Sequence, residues 1–402
     1  MNRYLVAGLC ALACVTMVTY ALASGASQSL FISAYGAKNL PWAWLAVAVG
    51  SAMVTYALTQ AAKHIDLVRL FGRSCIISAV SLSALLVAHA WGVPHTSFAL
   101  YVWKDVYIIV LVELFWTFAN VAFGLRSAPR IYGYFCAAGS LGSVSGGLVL
   151  GPLGQLLGTA NLMWLLLPML AVLGGGTMAL AGRVHVPHSR GDGDVEDEDV
   201  ATKFWHNPYL MWLAALVALA QVMITLTEFR FSHMLEAMLL VESDRTSMIG
   251  LVSAITNSLS LLVQLVSPQI FALFGMPRTL LALPWLLGII FLSTLQAPGL
   301  LTTSACQIAG KTVDYSLFRA AKEMLYIPLS YAEKTQGKAL VDILIYRIAR
   351  GGASMLLLLL GTRLRIDWLL GVISLALSVL WLGSVLGILR RYRRVLRARH
   401  RA

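Results

Sequence analysis

The chain has 402 residues, of which 59% are hydrophobic and only 12% are charged, and its net charge is +12 at pH 7. A soluble core of this length would not be so apolar, and repeated apolar runs of about 20 residues predict an all-α polytopic membrane protein. The excess of basic residues does not indicate a nucleic-acid partner, because positive charge collects on one side of a membrane for topological reasons alone.

Twelve stretches are apolar and long enough to cross a bilayer as helices. Residues 4–24 also have features of a signal peptide, with Arg3 before the run and ALASGA at its end. We interpret this run as the first transmembrane helix, because it is about long enough to span and many more spans follow. In chain order the predicted spans are 4–24, 41–62, 73–92, 99–124, 132–155, 161–182, 208–229, 247–274, 279–296, 299–327, 338–362 and 367–389.

An acidic stretch, HSRGDGDVEDED, separates the sixth span from the seventh. It has no apolar periodicity and lacks the ligand positions of a calcium loop, so a solvated linker without a metal is expected. The predicted organisation is a six-helix bundle (1–183), an acidic cytoplasmic linker (184–206), a second six-helix bundle (207–389) and a basic cytoplasmic tail (390–402). By analogy, two such bundles are the plan of major-facilitator carriers, which close alternately over a midplane site.

Lys and Arg are concentrated on the side of the predicted spans that carries both chain ends. The positive-inside rule therefore predicts cytoplasmic termini, in the inner (cell) membrane of a bacterium. The five cysteines lie in apolar segments without metal-ligand spacing, so they indicate neither a metal site nor a disulfide framework.

Charges occur inside the most apolar part of the second half. No residue between Pro298 and Pro328 breaks a helix, and a bilayer core needs roughly 20 helical residues, so Lys311 and Asp314 cannot lie outside the span. The next helix must likewise include Arg347 and Arg350. These side chains are predicted to be intramembrane.

Helical spacing groups these charges. At about 100° per residue, one stripe of the first helix carries Lys311, Asp314, Phe318 and Lys322. One face of the second helix carries Arg347 and Arg350. Ionisable groups at membrane depth normally face a bundle interior or a wet cavity.

Two interpretations of the charges remain open. In the structural one, Lys311 pairs with Asp314 at i,i+3, Asp342 anchors an arginine of its own helix, and Glu228 pairs with Arg230 at a helix end. In the functional one, the charges line a polar translocation pathway.

Two features of the first half have structural interpretations. The run GSLGSVSGGLVLG, residues 139–151, permits close approach between helices. Lys104 and Asp105 are placed near the edge of their span, where Lys104 can extend to the membrane interface.

The segment DYSLFRAAKEMLYIPLSYAEKTQGKALVDILIYRIARGG resembles the signature region of the nucleotide transporter family, the ATP:ADP exchangers of plastids and obligate intracellular bacteria. FWTFAN followed by Arg130 and Tyr132, and LTEFRFSHML around Glu228, are also similar to that family. The resemblance implies a twelve-helix, major-facilitator-like fold and alternating-access antiport of nucleotides or another anionic phosphorylated metabolite.

The resemblance also implies roles for individual residues. Together with the charge argument it makes Lys311, Lys322, Arg347, Arg350 and Glu228 the expected substrate-binding residues, since Lys and Arg in a low-dielectric cavity pair with phosphate. The coupling or structural charges are expected to be Asp314, Asp342 and Arg130.

This sequence departs from the family at several charged positions. Ser24, Ser27 and Gln28 stand where the family has an arginine, a lysine and an aspartate in the first helix. Phe231 and Ser232 follow Glu228 in place of a tryptophan and a lysine, and Asp314 replaces a lysine. These changes lower the expected preference for a polyphosphate.

Neither a phosphate-binding loop, nor a dinucleotide fingerprint, nor a hydrolase constellation is present in the sequence, so a non-enzymatic protein without a cofactor is expected. Two alternatives to nucleotide exchange remain open. One is proton-coupled transport of a different solute, with Asp314 or Glu228 titrating. The other is a non-transporting membrane receptor or assembly protein that retains the fold.

Overall fold

We describe residues 3–62, 64–122, 128–181, 207–329, 340–360 and 366–399 in a computed structural model of the chain. All regular structure in these ranges is helical, and it forms twelve long helical segments, which confirms the predicted all-α architecture.

Short helical segments lie in two of the connections between the first six helices. A 3₁₀ turn, Ala37–Asn39, joins the first two, and a short helix, Thr159–Leu162, with a 3₁₀ turn, Met163–Leu165, precedes the sixth. Their bounds are α1 Arg3–Tyr35, α2 Leu40–Ala62, α3 Leu67–Ala90, α4 Thr96–Ala122, α5 Ala128–Leu157 and α6 Leu166–Ala181.

The second six helices include two π-helical segments. In α10 the helix runs over Leu300–Val313, becomes π-helical over Asp314–Phe318 and continues over Arg319–Tyr326. The segment Leu340–Ile345 is also π-helical and leads into α11. The remaining bounds are α7 Pro208–Met238, α8 Glu242–Phe274, α9 Met276–Gln296, α11 Tyr346–Leu360 and α12 Ile366–Arg399.

Ten helical stretches among the described residues are long and apolar enough to cross a membrane; two of them, Thr159–Leu180 and Leu340–Leu360, include the short segments that lead into α6 and α11. The two helices outside this set are α4 and α10, and each carries charged residues within its length: Lys104 and Asp105, and Lys311 and Asp314. The chain is therefore an integral membrane protein.

Three helices extend well beyond their predicted spans. The first predicted span ended at residue 24, but α1 continues to Tyr35, with Ser27 and Ser29 fully buried. The seventh was predicted to end at residue 229, but α7 continues to Met238, and the buried Arg230 donates to the Thr294 carbonyl at 2.8 Å. The twelfth was predicted to end at residue 389, but α12 continues to Arg399.

Contacts divide the chain into two compact units. The first comprises Met1–Gly191 and Leu235–Ser258, and the second comprises Asp192–Met234 and Leu259–Ala402. The segment Leu235–Ser258, at the end of α7 and the start of α8, thus belongs to the first unit. The predicted acidic linker, 184–206, lies outside the described residues.

The first unit is built around close contacts of α5. A Cβ on Gly142 would collide with the backbone carbonyl of Cys14 in α1, and a Cβ on Gly147 would lie 2.9 Å from the Ala254 nitrogen in α8. These contacts confirm that the glycine run of α5 allows neighbouring backbones to approach.

The second unit is centred on aromatic and aliphatic side chains of α9, α10 and α12. Phe318 and Trp381 pack with ring centroids 5.8 Å apart, and both side chains are almost fully buried. This packing fixes one face of α10, and the charged side chains of the same helix lie around it.

Candidate functional site

A carboxylate in the second unit links three helices. Glu228 of α7 places Oε1 3.7 Å from Nζ of Lys311 on α10, and Oε2 3.5 Å from an Nη atom of Arg350 on α11. The three side chains are 14%, 27% and 24% exposed, respectively. All three side chains are therefore mostly buried, and each keeps a small exposed surface that a ligand can reach.

A second ion pair lies farther along α10. Nζ of Lys322 is 2.9 Å from Oδ1 of Asp342 in the π-helical segment before α11, and the Tyr326 hydroxyl donates to the same oxygen at 3.0 Å. The Lys322 and Asp342 side chains are 16% and 22% exposed. This pair connects the end of α10 to the approach to α11.

Asp314 occupies the first position of the π-helical segment in α10. Lys322, Arg319 and Lys311 act electrostatically on its carboxyl group, yet it forms no ion pair within 4 Å among the described residues. The next residue is held from α8, because Gln264 Nε2 donates to the Tyr315 carbonyl at 3.0 Å.

Both π-helical segments coincide with charged residues of this cluster. Because hydrogen bonds there close from i to i+5, backbone groups are displaced and the angular step between side chains changes. The uniform step of about 100° per residue assumed for α10 therefore does not hold through residues 314–318. Phe318 packs against Trp381 in the core, whereas Lys311 and Lys322 form separate ion pairs with Glu228 and Asp342.

The structural pairings proposed from sequence differ from the observed ones. Lys311 pairs with Glu228 and not with Asp314, and Asp342 pairs with Lys322 and not with an arginine of its own helix. Arg230 donates to a carbonyl of α9 and lies over the Phe291 ring. The observed partners of Lys311 and Asp342 lie on other helical segments.

The remaining predicted site residues lie around these pairs. Arg347 is half-buried on α11, one turn before Arg350, and has no ion pair with another described residue. Arg130 lies near the start of α5, but its side chain is outside the described set. Of the expected substrate-binding residues, the structure brings Glu228, Lys311 and Arg350 together.

The sequence did not predict that an ion pair is buried in the first unit. Lys104 and Asp105 of α4 are only 4% and 9% exposed, and Lys104 Nζ lies 2.8 Å from Asp105 Oδ2. The Tyr20 hydroxyl of α1 donates to Asp105 at 3.3 Å, and the Lys104 ammonium lies 4.1 Å from the Tyr101 ring centroid.

The expectation that Lys104 extends to the interface is wrong. The helix begins at Thr96, which places Lys104 more than two turns inside it. Adjacent opposite charges within an apolar run were the available signal, because an isolated charge would not be retained there without a partner.

The structure also shows the surroundings of the α1 residues that depart from the family pattern. Ser27 is fully buried and donates to the Ser24 carbonyl at 3.3 Å, and Gln28 is 9% exposed. The corresponding part of α1 therefore presents hydroxyl and amide groups and no cation.

The second-unit cluster can exchange ion-pair partners. Four cations, Lys311, Lys322, Arg347 and Arg350, lie on α10 and α11 together with Asp314 and Asp342, and Glu228 faces two of them from α7. An anion can compete with Glu228 for Lys311 and Arg350, because phosphate accepts charge-assisted hydrogen bonds from Lys and, by a bidentate fork, from Arg.

The second half of the chain is similar to a known family. Residues 195–392 match the family model described as TLC ATP/ADP transporter. The chain is 30% identical over 203 residues to ADP,ATP carrier protein 1 of Chlamydia pneumoniae, which covers 44% of this chain and 39% of that protein. It is 27% identical over 202 residues to ADP,ATP carrier protein 2, chloroplastic, of Arabidopsis thaliana, covering 44% and 33%. These matches thus span well under half of the relatives' lengths.

The fold is similar to that of solved transporters over almost the whole chain. A crystal structure of the nucleoside transporter NupG superposes with a TM-score of 0.70 at 13% identity, covering 97% of this chain and 99% of that one. A bacterial homologue of the iron transporter ferroportin, in an inward-facing state, superposes with a TM-score of 0.70 at 12% identity, covering 96% and 98%. At these identities the likeness concerns the fold, which is major-facilitator-like.

Proposed function

We propose that the chain is a divergent member of the TLC ATP/ADP transporter family and a secondary transporter, because residues 195–392 match the model of that family and resemble the ADP,ATP carriers. In this proposal it exchanges nucleotides, or another anionic phosphorylated metabolite, across a membrane by alternating access. It does not hydrolyse its substrate. Relatives in Chlamydia and Arabidopsis bear the name ADP,ATP carrier, which makes ATP and ADP the first substrates to test.

The observation that carries the proposal is the Glu228 ion-pair cluster. One carboxylate with two cationic partners, each still 24–27% exposed, is a site from which an anion can displace the internal partner. The incoming phosphate would then satisfy Lys311 and Arg350, while the release of Glu228 changes how α7 is tied to α10 and α11. Binding and helix movement are linked in this way.

The proposed location follows from the charge distribution. Both termini lie in the cytoplasm in this proposal, because basic residues collect on the side that carries the chain ends, and the membrane is taken to be the inner membrane of a bacterium. A cysteine-labelling experiment at the N-terminus and in the tail, with an impermeant reagent on intact cells and on lysed ones, tests the orientation.

The direct test is counter-exchange in liposomes. The purified chain is reconstituted in vesicles loaded with ADP, and uptake of labelled ATP is compared with uptake into empty vesicles and into vesicles loaded with inorganic phosphate or a sugar phosphate. Uptake that requires an internal nucleotide supports nucleotide exchange. Uptake that requires another phosphorylated metabolite supports the broader proposal, and the absence of exchange with any of them contradicts it.

Asp314 supports a second candidate function, proton-coupled transport of a different solute. It is an acid within a membrane helix, influenced by three cations, that forms no ion pair within 4 Å among the described residues. Such an acid can alternate between charged and neutral forms during a transport cycle.

Proton coupling is tested by solute uptake driven by an imposed pH gradient, with a pH-sensitive dye inside the vesicles. In this case Asp314→Asn abolishes gradient-driven uptake and keeps exchange at equal pH. If Asp314→Asn vesicles respond to the gradient as wild-type vesicles do, proton coupling through Asp314 is excluded.

A further inference from the structure

A cavity of about 330 Å³ lies in the first unit between α2, α3 and α4. Its walls are almost entirely apolar, and its size falls within the range of about 300–1,000 Å³ typical of small-molecule sites. The residues already considered for substrate binding do not line it. The cavity therefore requires an explanation of its own.

Small side chains on two helices create the cavity. Ala57 and Ala61 face it from α2, and Ser74, Ser78 and Ser81 face it at helical spacing from α3. Both helices pack against α4 and make few contacts with each other. A groove is left where they separate.

The α4 side of the groove is rigid and aromatic. Trp103 and Tyr107 stack with ring centroids 4.2 Å apart and planes 15° from parallel. The Trp103 indole donates to the Ser81 hydroxyl at 2.9 Å, and that hydroxyl donates to the Ser78 carbonyl at 3.1 Å. Because these polar atoms bond to each other, they leave an apolar surface with a fixed shape.

The rims of the groove carry exposed apolar side chains. Tyr56 on α2 and Ile77 on α3 are 68% and 67% exposed, and both helices are long and apolar enough to cross a membrane. Such rims face hydrocarbon in a bilayer. An apolar groove that opens there is accessible to acyl chains directly from the membrane.

Basic residues lie at one end of the groove. Leu70 and Ser74 mark that end on α3, and the exposed side chains of Arg69 and Arg73 lie on the same turns. The Arg69 Nε atom lies 3.6 Å from an Asp66 carboxylate oxygen, and both side chains are exposed. Breaking an exposed ion pair of this kind costs little free energy. Basic groups beside a membrane helix attract anionic headgroups.

We propose that this groove is a binding site for an anionic phospholipid. One acyl chain lies against Trp103 and Tyr107 between α2 and α3, and the phosphate of the headgroup is held by Arg69 and Arg73. The site is separate from the substrate cluster, and the proposal does not depend on which solute is transported. Its occupant comes from the bilayer, which distinguishes it from a site for free phosphate.

Native mass spectrometry with added phosphatidylglycerol or phosphatidylcholine tests the site. Ala57→Phe fills the groove from an exposed position on α2, and Ala52→Phe adds the same ring at an exposed position of the same helix outside the groove. We expect Ala57→Phe to lose most of the retained phosphatidylglycerol and Ala52→Phe to keep it. Equal retention by the two variants would overturn the proposal.

The headgroup contact has its own variant. Replacing Arg69 and Arg73 by Ala is expected to weaken phosphatidylglycerol binding about fivefold per arginine and to leave phosphatidylcholine binding unchanged. An unchanged preference for phosphatidylglycerol contradicts the assigned headgroup position. If Ala57→Phe alters the oligomeric state and not lipid retention, a second copy of the chain covers the groove and the lipid proposal fails.

A fluorescence measurement does not depend on the filling variant. Phosphatidylglycerol with brominated acyl chains should quench Trp103 on binding, and Trp103→Phe should lose that saturable fraction of the quenching while melting at a similar temperature. Saturable quenching of equal size in Trp103→Phe would show that the lipid binds elsewhere.

Discussion

At the scale of single residues, Glu228 has the largest expected effect, because its two oxygens each face a cation on a different helix. Glu228→Gln leaves Lys311 and Arg350 close together without a carboxylate between them. One charge-assisted interaction is worth about 1.5–3 kcal/mol, so we expect a lower melting temperature and at least an approximately tenfold slower exchange.

Melting in detergent and counter-exchange in liposomes measure these two effects. Glu113→Gln is the matched control, because Glu113 is an exposed carboxylate on α4 and belongs to the first unit. If Glu228→Gln and Glu113→Gln have the same melting temperature and the same exchange rate, Glu228 has no special function.

The pair formed by Lys322 and Asp342 allows structural and functional roles to be separated. The atoms are 2.9 Å apart, so the double exchange Lys322→Asp with Asp342→Lys can restore an ion pair with the opposite polarity. We expect each single change to lower stability and the double change to recover about 1–3 kcal/mol as a coupling energy.

Transport separates the two roles of this pair. If Lys322 binds the substrate, the exchanged pair restores the melting temperature and not the exchange activity, because the cation has moved to the other side of the pair. Recovery of both properties identifies a structural pair only.

At the scale of helices, the glycines of α5 determine how closely its neighbours pack. Gly147→Ala places a methyl group 2.9 Å from the Ala254 nitrogen and 3.0 Å from the Gly250 carbonyl oxygen, and neither backbone atom can rotate away. Overpacking typically costs about 1–3 kcal/mol, so we expect a lower melting temperature.

Gly133→Ala on the same helix is the control. Among the described residues, no atom outside the adjoining helix backbone lies within 4 Å of the added carbon there, and replacing glycine in a helix favours the folded state by roughly 0.5–1 kcal/mol. A Gly147→Ala protein that melts as high as Gly133→Ala would show that α5 and α8 can separate slightly at no cost.

Helix continuity was the part of the element description that sequence predicted least well. The uniform helical step assumed between Lys311 and Lys322 fails because of the π-helical Asp314–Phe318. Apart from Asp314, the side chains in this segment do not differ in type from those of an ordinary membrane helix. The conformation depends on contacts from other helices, such as the hydrogen bond from Gln264 to the Tyr315 carbonyl.

At the scale of the whole molecule, the proposed alternating access requires some helix contacts to open during each cycle. The segment Leu235–Ser258 is placed with the first unit although it belongs to the helices of the second half. Its contacts include Arg245 with Ser33 at 3.1 Å, Ala37 with Glu236 at 2.7 Å, and Gly151 with Ser247. These contacts are candidates for opening.

A cross-link tests whether this segment must move. A Cβ built on Gly151 lies 3.2 Å from the Ser247 Cβ, close to the separation of about 3.5–4.5 Å found in disulfides. In a background without the five cysteines, Gly151→Cys with Ser247→Cys is expected to arrest exchange when oxidised and to recover it when reduced. Undiminished exchange by the oxidised, cross-linked protein would show that transport does not separate these helices.

The sequence by itself determined the membrane class, the number of helices and the intramembrane position of the charges in the second half. Each of these depends on short-range properties, namely the length of apolar runs and the charges within them. The signature segment likewise indicated the resemblance to the ATP:ADP exchangers.

Only the tertiary structure decided how the charges are paired. Lys311 has Asp314 one turn away in sequence, yet its partner is Glu228, 83 positions earlier, and Lys104 is buried beside Asp105 and Tyr20 and does not reach the membrane interface. Such pairings depend on the rotation and register of helices that are distant in the chain. The segment Leu235–Ser258 is placed with the first unit for the same physical reason, because close packing at Gly147 and Gly151 outweighs proximity in sequence.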